Sequence, residues 1–135
     1  MPQVCILTDS TAQFIKPNYP GAELVHVIPL KTSEPEGSPG AAQQVVFPSL
    51  DAMRQQLQLL GNEYNEVVAI LLSARLHPRF FETFQQAAET MRGRLSIQVI
   101  DSLNTAISLG YLVQQAAQAA VSGANSTEIN RMLQT

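Results

Sequence analysis

Hydrophobic and polar positions alternate along the chain in blocks, and the first block predicts a buried strand. Residues 4–7 form an uninterrupted apolar run that gives way to the small polar residues Asp9, Ser10 and Thr11. A run without alternation is typical of a strand covered on both faces, as in a parallel sheet flanked by helices. The loop after such a strand lies at the carboxyl edge of the sheet, where open α/β domains bind ligands. We therefore expect these polar side chains to line a binding crevice; a compatible alternative is that Asp9 or Ser10 caps a short helix.

The same blocks recur along the rest of the chain as alternating strands and helices. Period-two or continuous apolar stretches predict strands over residues 23–30, 66–72 and 95–100, the second of these central and the third nearer an edge. Helical spacing predicts helices over residues 50–60, 78–92, 105–121 and 126–133. This alternation predicts an α/β fold: a three-layer α/β/α domain with a mainly parallel sheet of about four strands and right-handed crossovers.

Two segments between these elements are harder to assign. Residues 31–44 contain prolines and glycines and predict a long exposed loop. An apolar patch over residues 45–47 interrupts this loop, and Ser49 is placed to cap the helix that begins at Leu50. Residues 12–16 predict a turn of helix that ends at the next prolines.

Two further strands end in the same chemistry as the first. Ser73 follows the strand over residues 66–72, and Asp101 and Ser102 follow the strand over residues 95–100. Because the carboxyl ends of parallel strands meet at one edge of a sheet, we expect these side chains to join Asp9 in a hydroxyl-rich crevice. Each instance alone is equally typical of a residue that caps a helix.

Composition narrows the class of protein. The chain has 135 residues, which fits a single domain over residues 1–135. Hydrophobic residues make up 45% and charged residues 14%, so there is room for an apolar interface or pocket. The net charge of −3, with scattered basic residues, disfavours binding of nucleic acid. The one cysteine, Cys5, fits a reducing compartment, and we expect a cytoplasmic protein because neither an export signal nor a membrane span is evident.

The sequence lacks the common signatures of catalysis and cofactor binding. No glycine-rich phosphate loop is present, and His26 and His77 lack further ligands at metal-binding spacing. Ser73, His77 and Asp101 contain the residue types of a catalytic triad, but no nucleophile elbow surrounds the serine. We therefore expect no metal, no cofactor and no enzymatic activity.

Four short motifs resemble the DegV family of fatty-acid-binding proteins. These are the T-D-S-T-A pattern that follows a strand in residues 6–12, the strand end over 28–30, the V-I-D-S segment over 99–102 and the helix over 110–117. The resemblance implies the N-terminal domain of that family, in which hydroxyls and backbone amides at this sheet edge hold the carboxylate of a long-chain fatty acid. Members of the family have a second domain, which this sequence does not match.

Two binding motifs of the family are altered in this chain. Residues 45–49 read V-V-F-P-S where the family has T-S-Q-P-S, and residues 73–79 read S-A-R-L-H-P-R where it has S-S-x-x-S-G-T. The lost donors need a replacement, and Arg79 can bind a carboxylate through two charge-assisted hydrogen bonds; Arg75 and His77 are alternatives, and a solvated loop charge is the other interpretation. The residues that could line an acyl channel, or equally form ordinary core, are Val46, Phe47 and Phe80.

Two functional hypotheses follow. The first is a non-enzymatic carrier of a fatty acid or another amphipathic carboxylate, which donates its ligand to a partner kinase or acyltransferase. A homodimer or a partner chain would replace the missing second domain. The head-group site would consist of Asp9, Ser10, Thr11, Ser49, Ser73, Arg79, Asp101 and Ser102. The alternative is an interaction or regulatory module that keeps the DegV-like fold without a ligand.

Overall fold

The fold is described by a computed structural model, which covers residues 4–14, 18–33, 44–103 and 106–134. A short 3-10 turn, Ala22–Leu24, precedes the second strand. The strands are β1 (Val4–Asp9), β2 (Val25–Ile28), β3 (Lys31–Ser33), β4 (Gln44–Val46), β5 (Glu66–Leu71) and β6 (Ser96–Asp101). The helices are α1 (Leu50–Gly61), α2 (Pro78–Glu89), α3 (Ala106–Val121) and α4 (Ser126–Leu133).

Four of the strands form one parallel sheet in the order β2-β1-β5-β6. On one face, α2 packs beside Ile97 and Val99 of β6 and also contacts α1. On the other face, Asn130 of α4 hydrogen-bonds to Gln98, and α3 packs on β1. Because successive side chains of a strand point to opposite faces, the helices form two layers around the sheet. The predicted three-layer α/β/α domain is confirmed.

The core lies along the two central strands. All six residues of β1 are buried, and β5 is buried from Val67 onward. The predicted central position of the most apolar strand is therefore confirmed. The predicted edge position of β6 is also confirmed, since most of its side chains are only partly buried.

Three predicted element boundaries are wrong. The predicted loop over residues 31–44 begins with a short strand, β3, and ends where a second one, β4, begins; the two pair antiparallel with Lys31 opposite Val46. Residues 34–43 of this predicted loop lie outside the described part of the chain. Residues 12–14 are not helical, and residues 15 and 16 lie outside the described part of the chain. Helix α2 ends at Glu89 rather than near residue 92, because residues 90–94 form turns in which Gly93 has a positive φ of 85°.

Helix α3 packs unusually close to the loop after β1. A Cβ atom on Gly110 would lie 2.0 Å from the carbonyl oxygen of Gln13, so only glycine fits there. The same segment is tied to the helix by a hydrogen bond of 3.1 Å from the N–H of Gln13 to the carbonyl of Ala106. This contact fixes the first loop of the sheet edge against the helix layer.

Candidate functional site

The carboxyl edge of the sheet is organised by Asp9, the last residue of β1. Its side chain is fully buried, and one carboxylate oxygen accepts a hydrogen bond of 2.8 Å from the backbone N–H of Leu72 at the end of β5. The other oxygen accepts hydrogen bonds from the N–H and the hydroxyl of Thr11. Backbone amides are strong donors that must be satisfied when buried, so Asp9 ties two neighbouring loops together.

Asp101 has the same arrangement at the end of β6. One of its carboxylate oxygens accepts from the N–H of Ala74 at 3.2 Å and from the N–H of Leu103 at 3.0 Å. The loop after β5 is therefore held from both sides, by Asp9 and by Asp101. The predicted meeting of the three strand ends is confirmed by these hydrogen bonds.

Ser10 is occupied by a third tie. Its hydroxyl accepts from the backbone N–H of Leu30 at 2.8 Å and donates to the carbonyl of the same residue at 3.2 Å. The side chain thereby joins the loop after β1 to the segment that follows β2. In this conformation, its proton and one of its lone pairs are already used by the backbone.

The two serines that follow β5 and β6 are each only 7% exposed. The hydroxyl of Ser73 accepts from the N–H of Arg75 at 3.3 Å, and no described residue is seen to accept its proton. Ser102 donates its backbone N–H to the carbonyl of Leu71 at 3.1 Å. Ser73 therefore retains a hydrogen-bond donor at the rim of the crevice.

Helix α2 begins beside Ser73 without a side-chain cap. The carbonyl of Ser73 accepts from the N–H of His77, which is the N-cap residue, at 3.4 Å. Pro78 occupies the first turn, where its missing N–H costs nothing. The first amide hydrogens of a helix have no partner within the helix and carry a partial positive charge, so this terminus can bind an anion.

Two exposed arginines, Arg75 and Arg79, flank this helix terminus. Neither forms an ion pair with a described residue. No hydrogen bond between described side chains joins Ser73, His77 and Asp101, and the carboxylate of Asp101 faces backbone amides instead. The region around Ser73 is thus built to attract negative charge.

An apolar pocket of about 390 Å³ lies between the segment after β2, the end of β4 and α1. Phe47 belongs to its wall, and its ring lies 5.8 Å from the ring of Phe80 in the first turn of α2. Phe80 itself is 1% exposed and belongs to the core beneath the pocket. The lining residues are Pro29, Val46, Phe47, Pro48, Ala52 and Gln56.

Ser49 lies beside this pocket as the N-cap of α1. Its hydroxyl accepts from the N–H of Ala52 at 3.1 Å, which confirms the predicted capping role. Its contact with a ligand stays a prediction. The sequence analysis did not predict that Pro29 and Gln56 line a pocket. It placed Pro29 at the end of the second strand, which was the one local signal of its position.

Four exposed apolar side chains lie on the loops after β5 and β6 and on the first turns of α3, and they were also not predicted. We call them the exposed apolar patch: Leu76, Leu103, Ile107 and Tyr111. These side chains are 60%, 67%, 55% and 59% exposed, respectively. The Asp101 carboxylate holds the Leu76 loop and the Leu103 loop together through its two backbone hydrogen bonds. Ile107 and Tyr111 are four residues apart and do not lie on the core face of α3, so their spacing was the available sign of an exposed apolar pair.

The remaining ionisable groups of note lie away from this edge. Burial, followed by the nearby charge of Glu63, raises the pKa of the Cys5 thiol to about 12. Among the described residues, no group of three or more His, Cys, Asp or Glu side chains is arranged to hold a metal ion. No helix in the described ranges is long and apolar enough to cross a membrane.

Comparison with known sequences and structures gives a consistent result. The sequence model described as "uncharacterised protein, DegV family" matches residues 40–135. A DegV domain-containing protein of Staphylococcus aureus is 27% identical over 98% of this chain and 52% of its own length.

Solved structures of similar fold include the following two bacterial proteins. A DegV family protein of Thermus thermophilus, described as fatty acid binding, is 19% identical with a TM-score of 0.82 over 98% of this chain and 52% of its own. The Fatty Acid Kinase (Fak) B3 protein of Streptococcus pneumoniae, loaded with linoleic acid, is 15% identical with a TM-score of 0.76 over 98% of this chain and 53% of its own. The chain spans about half the length of these relatives.

Proposed function

Because this chain belongs to the DegV family, we propose that it is a non-enzymatic protein that binds a long-chain fatty acid or another amphipathic carboxylate. Similar structures are described as fatty acid binding, and one of them is loaded with linoleic acid. The observation that carries the proposal is the uncapped start of α2, whose first-turn residue Phe80 contacts Phe47 in the wall of an apolar pocket.

The carboxylate of the ligand binds at the amino terminus of α2. The hydroxyl of Ser73 donates one hydrogen bond, and the first free amide hydrogens of the helix donate others. The guanidinium of Arg79 or Arg75 adds charge from the rim. The donors lost with the family motifs are thereby replaced.

Asp9, Thr11 and Asp101 have a positioning role in this proposal. A carboxylate ligand would be repelled by an aspartate in direct contact, and both aspartates already accept backbone hydrogen bonds. Asp9 and Asp101 hold the loop that carries Ser73 in place, through the backbone of Leu72 and Ala74. Ser102, at the end of β6, lies in the same head-group region.

The acyl chain runs from this terminus into the pocket lined by Val46 and Phe47. The contact between Phe47 and Phe80 joins the pocket to the first turn of α2, so one amphipathic molecule can reach both. The volume of about 390 Å³ falls in the range of small-molecule sites. Each buried methylene adds about 0.8 kcal/mol to binding, which favours a long chain.

A covering chain completes the site. The exposed apolar patch adjoins the strand ends, and exposed apolar side chains of this kind are typical of a surface that binds another protein. We propose that a second copy or a partner chain covers it. A partner enzyme, such as a kinase or acyltransferase, would receive the ligand there.

The experiment is fatty-acid binding by delipidated protein, measured by native mass spectrometry with oleate. The wild-type protein should take up one molecule, and Ser73→Ala should weaken binding about tenfold, as expected for a lost hydrogen bond to a charged group. The affinity of Arg79→Ala is compared with that of Arg92→Ala, which is the control because Arg92 is exposed and forms an ion pair with Glu89. Protein that takes up no fatty acid refutes the proposal.

The second candidate is an interaction module without a ligand. The exposed apolar patch favours it, because such a surface serves a protein partner equally well. Under this alternative, Ser73→Ala changes neither partner binding nor ligand uptake, whereas Tyr111→Ala weakens the complex.

A further inference from the structure

The outer edge of β6 is an open strand edge. Ser96 and Ser102 donate their backbone N–H groups toward β5, at 3.3 Å to Asn65 and 3.1 Å to Leu71. Residues of a parallel strand point alternately to its two sides, so the N–H and C=O groups of Ile97 and Val99 point outward. In the described part of the chain, no strand pairs with this side of β6.

This edge lacks the features that normally prevent strand addition. Strand β6 contains no lysine, proline or bulge, and it pairs with β5 in register over all six residues. The opposite edge, β2, differs: it is followed by Pro29, and the side chain of Gln56 donates to the carbonyl of Val27 at 3.3 Å. The two edges of the same sheet are therefore protected to different degrees.

A groove of about 490 Å³ runs along the open edge on the side of α2. The side chains of Ile97 and Val99 form its floor and are only partly covered. Its opposite wall is formed by Gln85, Ala88, Glu89 and Arg92.

We propose that a second copy of this chain pairs with this edge, strand β6 against strand β6 in antiparallel orientation about a two-fold axis. Residues that face each other across antiparallel strands lie on the same face of the sheet. With Gln98 on the axis, Ile97 therefore lies opposite Val99 of the second copy, and the two exchange backbone hydrogen bonds. Ile97 and Val99 of the two copies then form one continuous apolar surface, which joins the floors of the two grooves.

Side-chain chemistry selects this register and this partner. If Val99 lay on the axis instead, Asp101 would lie opposite Ile97 of the second copy and farther along the strand from its Arg94. With Gln98 on the axis, Asp101 lies opposite Leu95 and next to Arg94 of the second copy. Arg94 is exposed and has no ion-pair partner among the described residues, so the two ends of the strand are complementary in charge. An edge that is complementary to itself fits a second copy better than an unrelated strand.

This contact is distinct from the cover proposed for the ligand site. Antiparallel strands direct the two carboxyl edges to opposite ends of the assembly, so neither copy covers the crevice of the other. Loss of the dimer would leave fatty-acid binding unchanged, and loss of fatty-acid binding would leave the dimer intact.

The test is the oligomeric state of the purified protein by sedimentation equilibrium. The wild-type protein should be a dimer, and Val99→Lys should convert it to a monomer by placing a charge between the copies. The matched control is Val27→Lys, which places the same charge on the other edge, where Val27 is 44% exposed; it should stay a dimer. The exposed variant Arg94→Glu should raise the dimer dissociation constant about tenfold by bringing like charges together.

A disulfide test is independent of the folding of the lysine variant. Gln98→Cys should form a covalent dimer under mild oxidation, because side chains on the axis are close enough for a disulfide. Ser96→Cys should stay monomeric on a denaturing gel, since it lies opposite Ile100, and the native Cys5 is buried and inert. A monomeric wild-type protein would overturn the proposal, as would a dimer that Gln98→Cys fails to link.

Discussion

The carboxylate of Asp9 accepts the backbone N–H of Leu72 at 2.8 Å, which joins the ends of the two central strands. Both carboxylate oxygens of Asp9 accept a backbone N–H, so the NH2 group of Asp9→Asn must face one of these donors, and the variant should lower the free energy of unfolding by about 2–3 kcal/mol. Urea unfolding measures this. The control is Asp51→Asn, whose side chain is 81% exposed and which should change stability by less than about 0.5 kcal/mol. Equal effects in the two variants would contradict the assigned role of Asp9.

Thr8 carries a buried hydroxyl without a hydrogen-bond partner among the described residues. Thr8→Val keeps the shape of the side chain and removes the unsatisfied group, so it should raise the free energy of unfolding by about 1 kcal/mol. The same change at Thr11 should have the opposite sign, because that hydroxyl donates to Asp9. Thermal or urea unfolding of both variants checks the pair, and a loss of stability in Thr8→Val would show that the hydroxyl is used.

Gly110 allows α3 to approach the carbonyl of Gln13. Gly110→Ala adds a methyl group where there is no space, so we expect a loss of about 2–3 kcal/mol or more despite the better helix propensity of alanine. Gly61→Ala in α1 is the control, since its added Cβ would lie at an ordinary 3.8 Å from Leu95. That variant should be neutral or slightly more stable, and a similar loss in both would refute the steric explanation.

The pKa of Cys5 predicts a loss of stability at alkaline pH. The folded protein holds this pKa at about 12, against 9.0 ordinarily, so the folded state keeps a proton that the unfolded state loses. The free energy of unfolding should therefore fall as pH rises above 9.0, by up to about 1.4 kcal/mol per pH unit. Burial also raises the pKa of Tyr19 and Tyr64, which adds a loss of the same sign above pH 10.0. Urea unfolding on both sides of pH 9.0 measures the slope, which Cys5→Ala should reduce; an unchanged slope would contradict this source.

Phe47 provides a prediction about the ligand rather than the fold. Phe47→Ala should weaken fatty-acid binding about tenfold or more, because it removes a pocket wall and the link to Phe80. Val121→Ala removes apolar surface far along α3, where the side chain is 46% exposed, and should bind as the wild type does. Fluorescent fatty-acid displacement compares the variants, with circular dichroism as the check on folding. Equal affinities of the two variants would show that the fatty acid does not bind in this pocket.

The fold was largely predictable because its signals are local. The uninterrupted apolar run of residues 66–72 identified the central strand, and Ser49 identified the start of α1. The antiparallel pair of β3 and β4 was missed because Lys31–Ser33 has no apolar alternation, and its pairing with Gln44–Val46 depends on a contact distant in sequence.

The candidate site was predictable by position but not by role. The strand ends indicated which polar residues gather, yet the state of each depends on a distant backbone group. Ser10 is occupied by Leu30, 20 positions away, whereas Ser73 keeps its proton free of described acceptors. Likewise, the start of α2 is uncapped because the side chain of His77 does not bond to the first turn, and the sequence pattern around His77 does not show this.

The three ties made by Asp9, Ser10 and Asp101 have a thermodynamic and kinetic consequence. Each fixes a loop through its own backbone, so the loops of the carboxyl edge are ordered before any ligand arrives. A ligand that meets ordered loops does not bear the conformational entropy of arranging them. Association should therefore proceed in a single concentration-dependent phase, with selectivity among acyl chains expressed in how slowly each one leaves.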